Sequence, residues 1–354
     1  MAERVTIQDI ADALGLSRNT VSKAINNTGL LAESTREKIL LKAMDMGYKQ
    51  FSYVTIAGLN DRKTEPASSA KEIALFSAAP IGNSHFASTM LDKLQRELSQ
   101  LGYSFTMHRI QDGEVNDLQI PSSYNEERTA GIICVETFDR AYSAMLCGMG
   151  KPILFVDSPV AALREPLQAD CLYMENESNI CSIVREMSRR GRKRIGFIGE
   201  YLHCQSFFER YMGYRNSMYL LGLPCPEEYC IIGRKEGTKI SDTQDYRAYL
   251  EEAFRNLSSM PDVFLCANDF VALDALAVLK KLGLSVPEDI WLCGFDDSPE
   301  SKVVTPSLTT IHIHSQIMGF SAAHLLLSRI KEPSLNFRTL HTETSLIYRE
   351  STGD

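Results

Sequence analysis

Residues 6–26 read Thr-Ile-Gln-Asp-Ile-Ala-Asp-Ala-Leu-Gly-Leu-Ser-Arg-Asn-Thr-Val-Ser-Lys-Ala-Ile-Asn. Ile7, Ile10, Ala11 and Leu14 recur at i, i+3, i+4 and i+7, the spacing of one helix face. Thr6 can cap that helix, with Asp9 three residues on to complete a capping box. Gly15 follows the last apolar position, where a left-handed residue ends a helix without steric cost. Ser17 can then cap a second helix almost at once. Two short helices joined by a turn that contains glycine make a helix-turn-helix. At about 100° per residue, Val21, Ala24 and Ile25 gather on the side that packs on the first helix. Asn19, Ser22 and Lys23 lie roughly opposite, with Arg18 and Thr20 at the edges. That outer face carries amide, hydroxyl and cationic groups, the types that reach base edges and phosphates.

A third amphipathic helix is predicted near Thr35–Met46, burying Ile39, Leu40, Ala43 and Met46 and stopped by Gly47. Such a small three-helix unit buries little core and should be marginal alone. It is also a small part of the 354 residues, a length that suggests two or three domains. The chain is acidic overall, with a formal charge of −8. Residues 1–50 hold seven basic side chains (Arg4, Arg18, Lys23, Arg36, Lys38, Lys42 and Lys49) against six acidic ones, so the acidity belongs to the remainder. With 44% hydrophobic and 23% charged residues the composition is globular, which excludes collagen-like and low-complexity classes. No apolar run reaches membrane-spanning length and no secretory signal is visible. Nine cysteines without a C-x-x-C pair suit reduced thiols in a cytoplasm better than a disulfide framework or a zinc site.

Beyond residue 71 apolar runs alternate with helical periods. Strands are expected at Ile73–Ala78, Gly131–Val135, Pro152–Val156, Ile195–Gly199, Val263–Ala267 and Ile290–Gly294. A helix is expected over Phe86–Leu101, with Leu91, Leu94, Leu98 and Leu101 on one face, and others near 177–190, 205–221, 244–258 and 270–282. This alternation means doubly wound parallel sheets covered on both faces, and the length favours two lobes. Ligands of such sheets sit at the carboxyl ends of strands, here in a cleft between lobes.

The run V-T-I-Q-D-I-A-D-A-L-G-L-S-R-N-T-V-S-K-A-I-N-N, followed by T-R-E-K-I-L and G-Y, resembles the headpiece of lactose-repressor-type (LacI/GalR) bacterial regulators. The likeness continues through Gly191-Arg-Lys-Arg-Ile-Gly-Phe-Ile-Gly, Cys266-Ala-Asn-Asp-Phe-Val-Ala, Val286-Pro-Glu-Asp-Ile, Gly294-Phe-Asp-Asp, Pro306-Ser-Leu-Thr-Thr-Ile and Tyr348-Arg-Glu-Ser-Thr. It implies an all-α helix-turn-helix headpiece at 1–49, a linker or hinge at 50–71, and an α/β two-lobed periplasmic-binding-protein-like domain at 72–354 that binds effector and dimerises. The chain would cross between lobes three times.

Carried over by position, the resemblance puts base reading on Arg18, Asn19 and Lys23. Phosphate contacts fall on Thr6, Ser17, Thr20, Ser22 and Asn26. Lys23 stands where the family usually has Arg, so it lacks the bidentate fork; Ala32 stands where a capping Ser is common. For the effector, Ser206 and Arg210 fill the family's S-x-x-x-R-x-x-G, ending at Gly213. Asp157, Asn268 and Asp296 follow strands, and Phe86 occupies a position where the family often has an aromatic. Carboxylates, an amide and a guanidinium suit a sugar or sugar phosphate, since each hydroxyl both donates and accepts. Bland roles compete: Asp269 capping the 270–282 helix, Asp296 and Asp297 closing a turn, Trp291 and Phe86 in the core.

Catalytic readings lack their motifs. The histidines are scattered, His312 and His314 read as one face of a half-buried strand, and neither G-x-G-x-x-G after a strand nor a P-loop occurs. No cofactor, no metal and no catalytic residue is therefore expected. Where the family usually has Pro-Asn and a small helix carrying a leucine wedge, residues 50–59 offer Val54, Thr55, Ile56 and Gly58, so no stable hinge helix is expected; Ile56 or Leu59 could still wedge. The reading is a cytoplasmic, homodimeric, ligand-responsive DNA-binding transcription regulator, a repressor of carbohydrate genes on a pseudo-palindromic double-stranded operator. The Arg-Glu-Ser-Thr strand lies two residues from the end, so no appended tetramerising helix is expected. A sugar-binding protein without a DNA role and an α/β enzyme are the alternatives.

Overall fold

The computed structural model describes residues 5–25, 31–46, 71–78, 85–233 and 243–354. Packing separates a first unit, ending at Ser69, from a second that begins at Ala70. The first holds α1 (Ile7–Leu14), α2 (Arg18–Ile25) and α3 (Glu33–Asp45). Their shared core is Ile10, Ala11, Val21, Ala24, Ile25, Ile39, Leu40 and Ala43, with Met46 half-buried at its edge. Thr6 and Asp9 form the predicted capping box: the Thr6 amide donates to Asp9 Oδ2 at 2.7 Å and the Asp9 amide to Thr6 Oγ1 at 3.3 Å. The Thr6 hydroxyl, which donates to Asp9 Oδ2 at 2.7 Å, and the Thr6 amide hold the Asp9 carboxyl below its ordinary range. Gly15 takes φ +63°, the left-handed turn that aims α2 across α1. Helix α3 starts two residues before the predicted Thr35. The Ala32 carbonyl accepts the Thr35 and Arg36 amides at 2.9 and 3.0 Å, so the backbone begins the turn where no side chain caps it.

The second unit contains two parallel sheets. The first has the order β11-β5-β4-β3-β1-β2, from Thr339–Thr342, Asp170–Met174, Ile153–Val156, Thr129–Val135, Lys71–Ser77 and Tyr103–Arg109. The second has the order β7-β6-β8-β9, from Cys230–Ile231, Ile195–Ile198, Val263–Cys266 and Trp291–Cys293. The central strands are buried along their length, as strands covered on both faces must be. Helices α4 (His85–Gln100) and α12 (Ser315–Lys331) cover one face of the first sheet, burying Met90, Leu94, Leu98, Met318, Ala322 and Leu326. Between these two in sequence, the described residues form α5 (Asp112–Asn116), α6 (Arg140–Cys147), α7 (Ser178–Arg189) and α8 (Gln205–Leu220). They also form α9 (Thr243–Arg255), α10 (Asp269–Lys281) and α11 (Pro299–Val303).

The chain passes from the first lobe to the second after β5. It returns between β10 (Thr310–Ile313) and α12, and crosses again between β11 and β12 (Thr344–Ile347), which pairs antiparallel with β10. That is the discontinuous two-lobed arrangement expected. Inside the first lobe a fully buried carboxylate, Asp170, accepts from Arg329 Nη2 at 2.7 Å, Arg338 Nη2 at 2.7 Å and the Arg338 amide at 2.7 Å, and these donors outweigh burial to hold its pKa below normal. Among the described residues no helix is long and apolar enough to cross a membrane.

Several local expectations need correction. Leu101 lies beyond the end of α4 and is 39% exposed, because Gly102 turns the chain at φ +80° before the stripe can continue. The terminal Arg-Glu-Ser-Thr run forms a 3-10 turn at Glu350–Thr352 rather than a strand. The Ser351 hydroxyl donates to the Leu292 carbonyl at 2.6 Å and accepts the Thr309 amide at 2.8 Å, docking that turn on the second sheet. Trp291 is only half-buried, flanked by the guanidiniums of Arg190 and Arg192 at 5.5 and 4.8 Å from its ring centre. The hinge expectation at 50–59, including Ile56 and Leu59, lies outside the described residues, as does Asn26; for Phe86 only the backbone, in α4, is described.

Candidate nucleic-acid interface and effector cleft

In the first unit α2 buries Val21, Ala24 and Ile25 completely against α1 and α3, which obliges its other side to face outward. Arg18, Asn19 and Lys23 are exposed there, and Thr20 and Ser22 half-buried beside them. Ser17 caps the helix, its Oγ accepting the Thr20 amide at 3.1 Å and lying 2.8 Å from Thr20 Oγ1. Exposed Ser17 and Thr6 stand at the N-terminal ends of α2 and α1, ends whose amides and dipole favour anions such as phosphate. The face thus offers cations and an amide on a helix of eight residues, anchored by its own apolar side.

In the second unit the cleft lies between the carboxyl ends of the two sheets. Glu136 and Asp157 directly follow β3 and β4, whose last residues Val135 and Val156 are register partners, so the two acids stand side by side. Asp296 follows β9 across the cleft. All three adopt positive φ (53°, 59° and 116°), backbone that non-glycine residues rarely hold outside functional or tightly determined sites. Gly294 lets the β9 end approach the Asp269 carboxylate, which a Cβ would strike.

Arg210 on α8 is 2% exposed and is the hub. Its Nε donates to Asn176 Oδ1 at 2.9 Å and its Nη1 to the Ala267 carbonyl at 2.6 Å. Asp296 Oδ1 is 3.9 Å from Nη1, and the guanidinium lies 3.5 Å from the Phe295 ring centre. Burial pushes Asp296 up to about 8; Arg210 opposes this, while Asp269, Glu136 and Asp157 add to it. Burial also raises Glu136, helped by Asp157, and lowers Arg210. At neutral pH, Asp296 is therefore largely a protonated acid, able to donate as well as accept.

The other expected effector residues have structural partners. Asp157 Oδ1 accepts the Ser158 amide at 2.8 Å and the Ser206 amide at 3.1 Å, tying the first lobe to the start of α8; burial raises its pKa against those bonds. The Ser206 hydroxyl is buried 3.2 Å from Met174 Sδ. Asn268, not Asp269, caps α10, its Oδ1 taking the Val271 amide at 3.0 Å. Asp269 is instead a buried tie accepting Thr310 Oγ1 at 2.6 Å and the Ser298 amide at 2.7 Å; burial pushes it up to about 6. Asp297 binds Lys302 at 3.0 Å and His312 at 2.9 Å, and pairs with Arg349, so its role is to hold the turn together. His314 donates to or accepts from Ser345 at 2.9 Å, and no group of metal-ligating side chains occurs among the described residues.

Sequence reasoning missed Glu136 and the Asn176–Glu209–His341 chain behind Arg210. Asn176 Nδ2 donates to Glu209 Oε2 at 2.7 Å, and His341 Nε2 lies 3.5 Å from the same oxygen, which raises the His341 pKa. Glu136 shared one available signal with Asp157, an acid immediately after a parallel strand.

A helix-turn-helix reader and a two-lobed ligand-binding unit in one chain define a ligand-controlled transcriptional regulator rather than an enzyme. The profile of "Bacterial regulatory proteins, lacI family" matches residues 6–50, and that of the "Periplasmic binding protein-like domain" matches residues 184–352. The chain belongs to the LacI family. It is 27% identical over 350 residues, 98% of each chain, to a repressor named PurR from Actinobacillus pleuropneumoniae serotype 3 (strain JL03). It is 26% identical over 354 residues, 98% of this chain and 99% of the other, to a regulator named GalR from Streptococcus thermophilus. In fold it is similar to a solved CelR–cellobiose complex (TM-score 0.68, 23% identity, covering 98% and 100% of the two chains). It is also similar to a lac repressor dimer bound to operator and an anti-inducer (TM-score 0.64, 20% identity, covering 99% of each).

Proposed function

We propose that the chain is a cytoplasmic homodimeric repressor that binds a pseudo-palindromic operator and is released from it, or recruited to it, by a carbohydrate effector. The observation that carries the DNA half is the outward face of α2, with Arg18, Asn19 and Lys23 exposed opposite three fully buried apolar residues. In this reading those three side chains meet base edges in the major groove. Thr6, Ser17, Thr20, Ser22 and Asn26 meet phosphates. A dimer, the form in which a lac repressor was solved on its operator, would present two such helices one DNA turn apart. Residues 1–49, 50–71 and 72–354 serve as reader, linker and effector domain.

The effector half rests on the cleft. Arg210 and Asp296 are its principal polar contacts, with Asp157, Asn268 and Ser206 shaping the wall and Phe86 at the position of a covering aromatic. A buried guanidinium with a neutral acid beside it suits hydroxyl groups that donate and accept. A structural neighbour was solved with cellobiose, which favours a sugar over other small polar effectors. A gel shift of the full chain on the DNA upstream of its own gene, with and without candidate sugars, tests both halves. A sequence-specific shift altered by one sugar supports the reading. Failure to shift that DNA above the level of an unrelated fragment rejects it.

A further inference from the structure

Cys225 and Cys230 take no part in the DNA face or the cleft, and they meet. They bracket the run Pro-Glu-Glu-Tyr. That run folds into a 3-10 turn at Glu227–Tyr229, and Cys230 opens β7. Both thiols reach the same atom: Cys225 Sγ donates to the Tyr214 hydroxyl oxygen at 3.4 Å and Cys230 Sγ at 3.6 Å. Tyr214 is wholly buried in α8 and itself donates to the Ile195 carbonyl at 2.8 Å, so this meeting point is fixed. We infer that Cys225 and Cys230 are a site of reversible oxidation, closing to a disulfide when the protein meets a small peroxide.

The surroundings suit thiolate chemistry. Reactive cysteines are partly exposed and lie beside a cation. Both sulfurs here belong to half-buried residues, and exposed Pro224, Glu227 and Glu228 flank them. The Arg215 guanidinium, on the residue after Tyr214, donates to the Tyr211 hydroxyl at 3.0 Å. That bond first, and then attraction to the negative forms of Cys225 and Cys230, holds Arg215 above its ordinary pKa. Burial pushes the Cys230 thiol up, against bonds to the Tyr214 hydroxyl and the Phe197 backbone and the attraction of Arg215. Cys134, Cys204, Cys266 and Cys293 are by contrast buried, with thiols pushed up chiefly by that burial.

The Cys225 thiolate attacks one oxygen of hydrogen peroxide. The O–O bond breaks, leaving a sulfenic acid and a hydroxide that takes up the thiol's proton. Cys230, deprotonated in turn, attacks the Cys225 sulfur; the S–O bond breaks, water leaves and the S–S bond forms. Two thiols lose two electrons in all, one peroxide is reduced, and two waters result. The change removes both S–H donors from Tyr214 and ties down the start of β7. The carbonyl of Ile231, next along β7, accepts the Gly199 amide at 3.0 Å where β6 ends at the cleft. The oxidised turn therefore anchors a strand that ends beside the cleft. In a reducing compartment such a disulfide is transient and serves sensing rather than stability.

The test is peroxide titration of the reduced full chain, followed by alkylation of free thiols and mass analysis of the unreduced digest. The inference expects the Cys225–Cys230 bridge to be the first product, one peroxide to be consumed per bridge, and dithiothreitol to restore both thiols. Arg215→Met should slow the bridge by about three- to tenfold as less thiolate forms, and Arg215→Lys should restore much of the rate. In Cys225→Ser, Cys230 should still alkylate at the same peroxide dose. A first product at another pair, such as Cys147–Cys171, overturns the site, and so does a chain whose thiols all still alkylate. Cys225 carried to sulfinic acid while Cys230 still alkylates overturns it too, because the two sulfurs then do not meet. Equal rates in wild type and Arg215→Met overturn the activating role of Arg215.

Discussion

Replacing Arg210 by Met keeps an unbranched apolar side chain and removes the charge that lies over the Phe295 ring. The guanidinium is buried, makes two hydrogen bonds of 2.9 and 2.6 Å, and faces Asp296 at 3.9 Å. Breaking a buried pair generally costs about 3–5 kcal/mol because one charge is left uncompensated. Here the abandoned partner relieves part of that cost, since Asp296 already sits at about 8 and is neutral at pH 7. What remains is the unpaired Ala267 carbonyl and Asn176 oxygen, about 1–3 kcal/mol each. The loss should grow with pH. In the wild type the folded pKa of Asp296 is above the unfolded one, so its contribution to stability is fully present below about 4 and lost as pH rises through about 8. Without Arg210 the folded pKa rises further, and each added unit costs about 1.4 kcal/mol once the wild-type acid is ionised. Urea unfolding of both proteins at pH 6 and pH 9 reads the difference. A larger deficit at pH 9 is expected; an equal or smaller deficit at pH 9 would refute the coupling of Arg210 to a raised Asp296.

Asp296→Asn should flatten the dependence of stability on pH between about 4 and 8, measured by the same unfolding series, because the proton it holds in the fold is gone. Asp170→Asn leaves two guanidiniums without their shared buried carboxylate, so urea unfolding should show a loss of about 3–5 kcal/mol. Thr6→Ala should cost about 0.5–2 kcal/mol of headpiece stability through the lost cap, read by thermal melting. It should also weaken binding to all DNA sequences alike. Replacing both Ile56 and Leu59 by Ala should scarcely change operator bending in a circular-permutation gel shift, since residues 50–59 lack a helix former's run; a large loss of bending would instead establish a wedge.

The headpiece was legible because its signals are local. The capping box at Thr6 and Asp9, the left-handed Gly15 and the 3.6-residue apolar period each depend on neighbours a few residues away, and each stands in the structure. Most strands buried on both faces were legible, although β5, interior and buried, was not, since Asp170 opens it and breaks its apolar run. Strand Tyr103–Arg109 escaped because it lies at an edge with half its residues wet, which dilutes the apolar run. Helix α12 escaped because the chain returns there to the first lobe, and nothing local marks a crossing. In the cleft, Asp157, Asn268 and Asp296 were found as residues that follow strands. Their partners were not foreseeable, since Asp157 closes the start of α8 at Ser206, 49 residues away. Glu136 follows the same rule at β3 and lacked only a motif to draw notice.

The central claim is that the exposed side of α2 reads DNA sequence. Binding-site selection from random duplexes, run with the wild-type full chain and with Arg18→Ala, Asn19→Ala and Lys23→Ala, tests it directly. The account predicts a pseudo-palindromic motif for the wild type, with each variant losing preference at its own base positions by about 1–3 kcal/mol. The same motif, equally stringent in all four proteins, would contradict it.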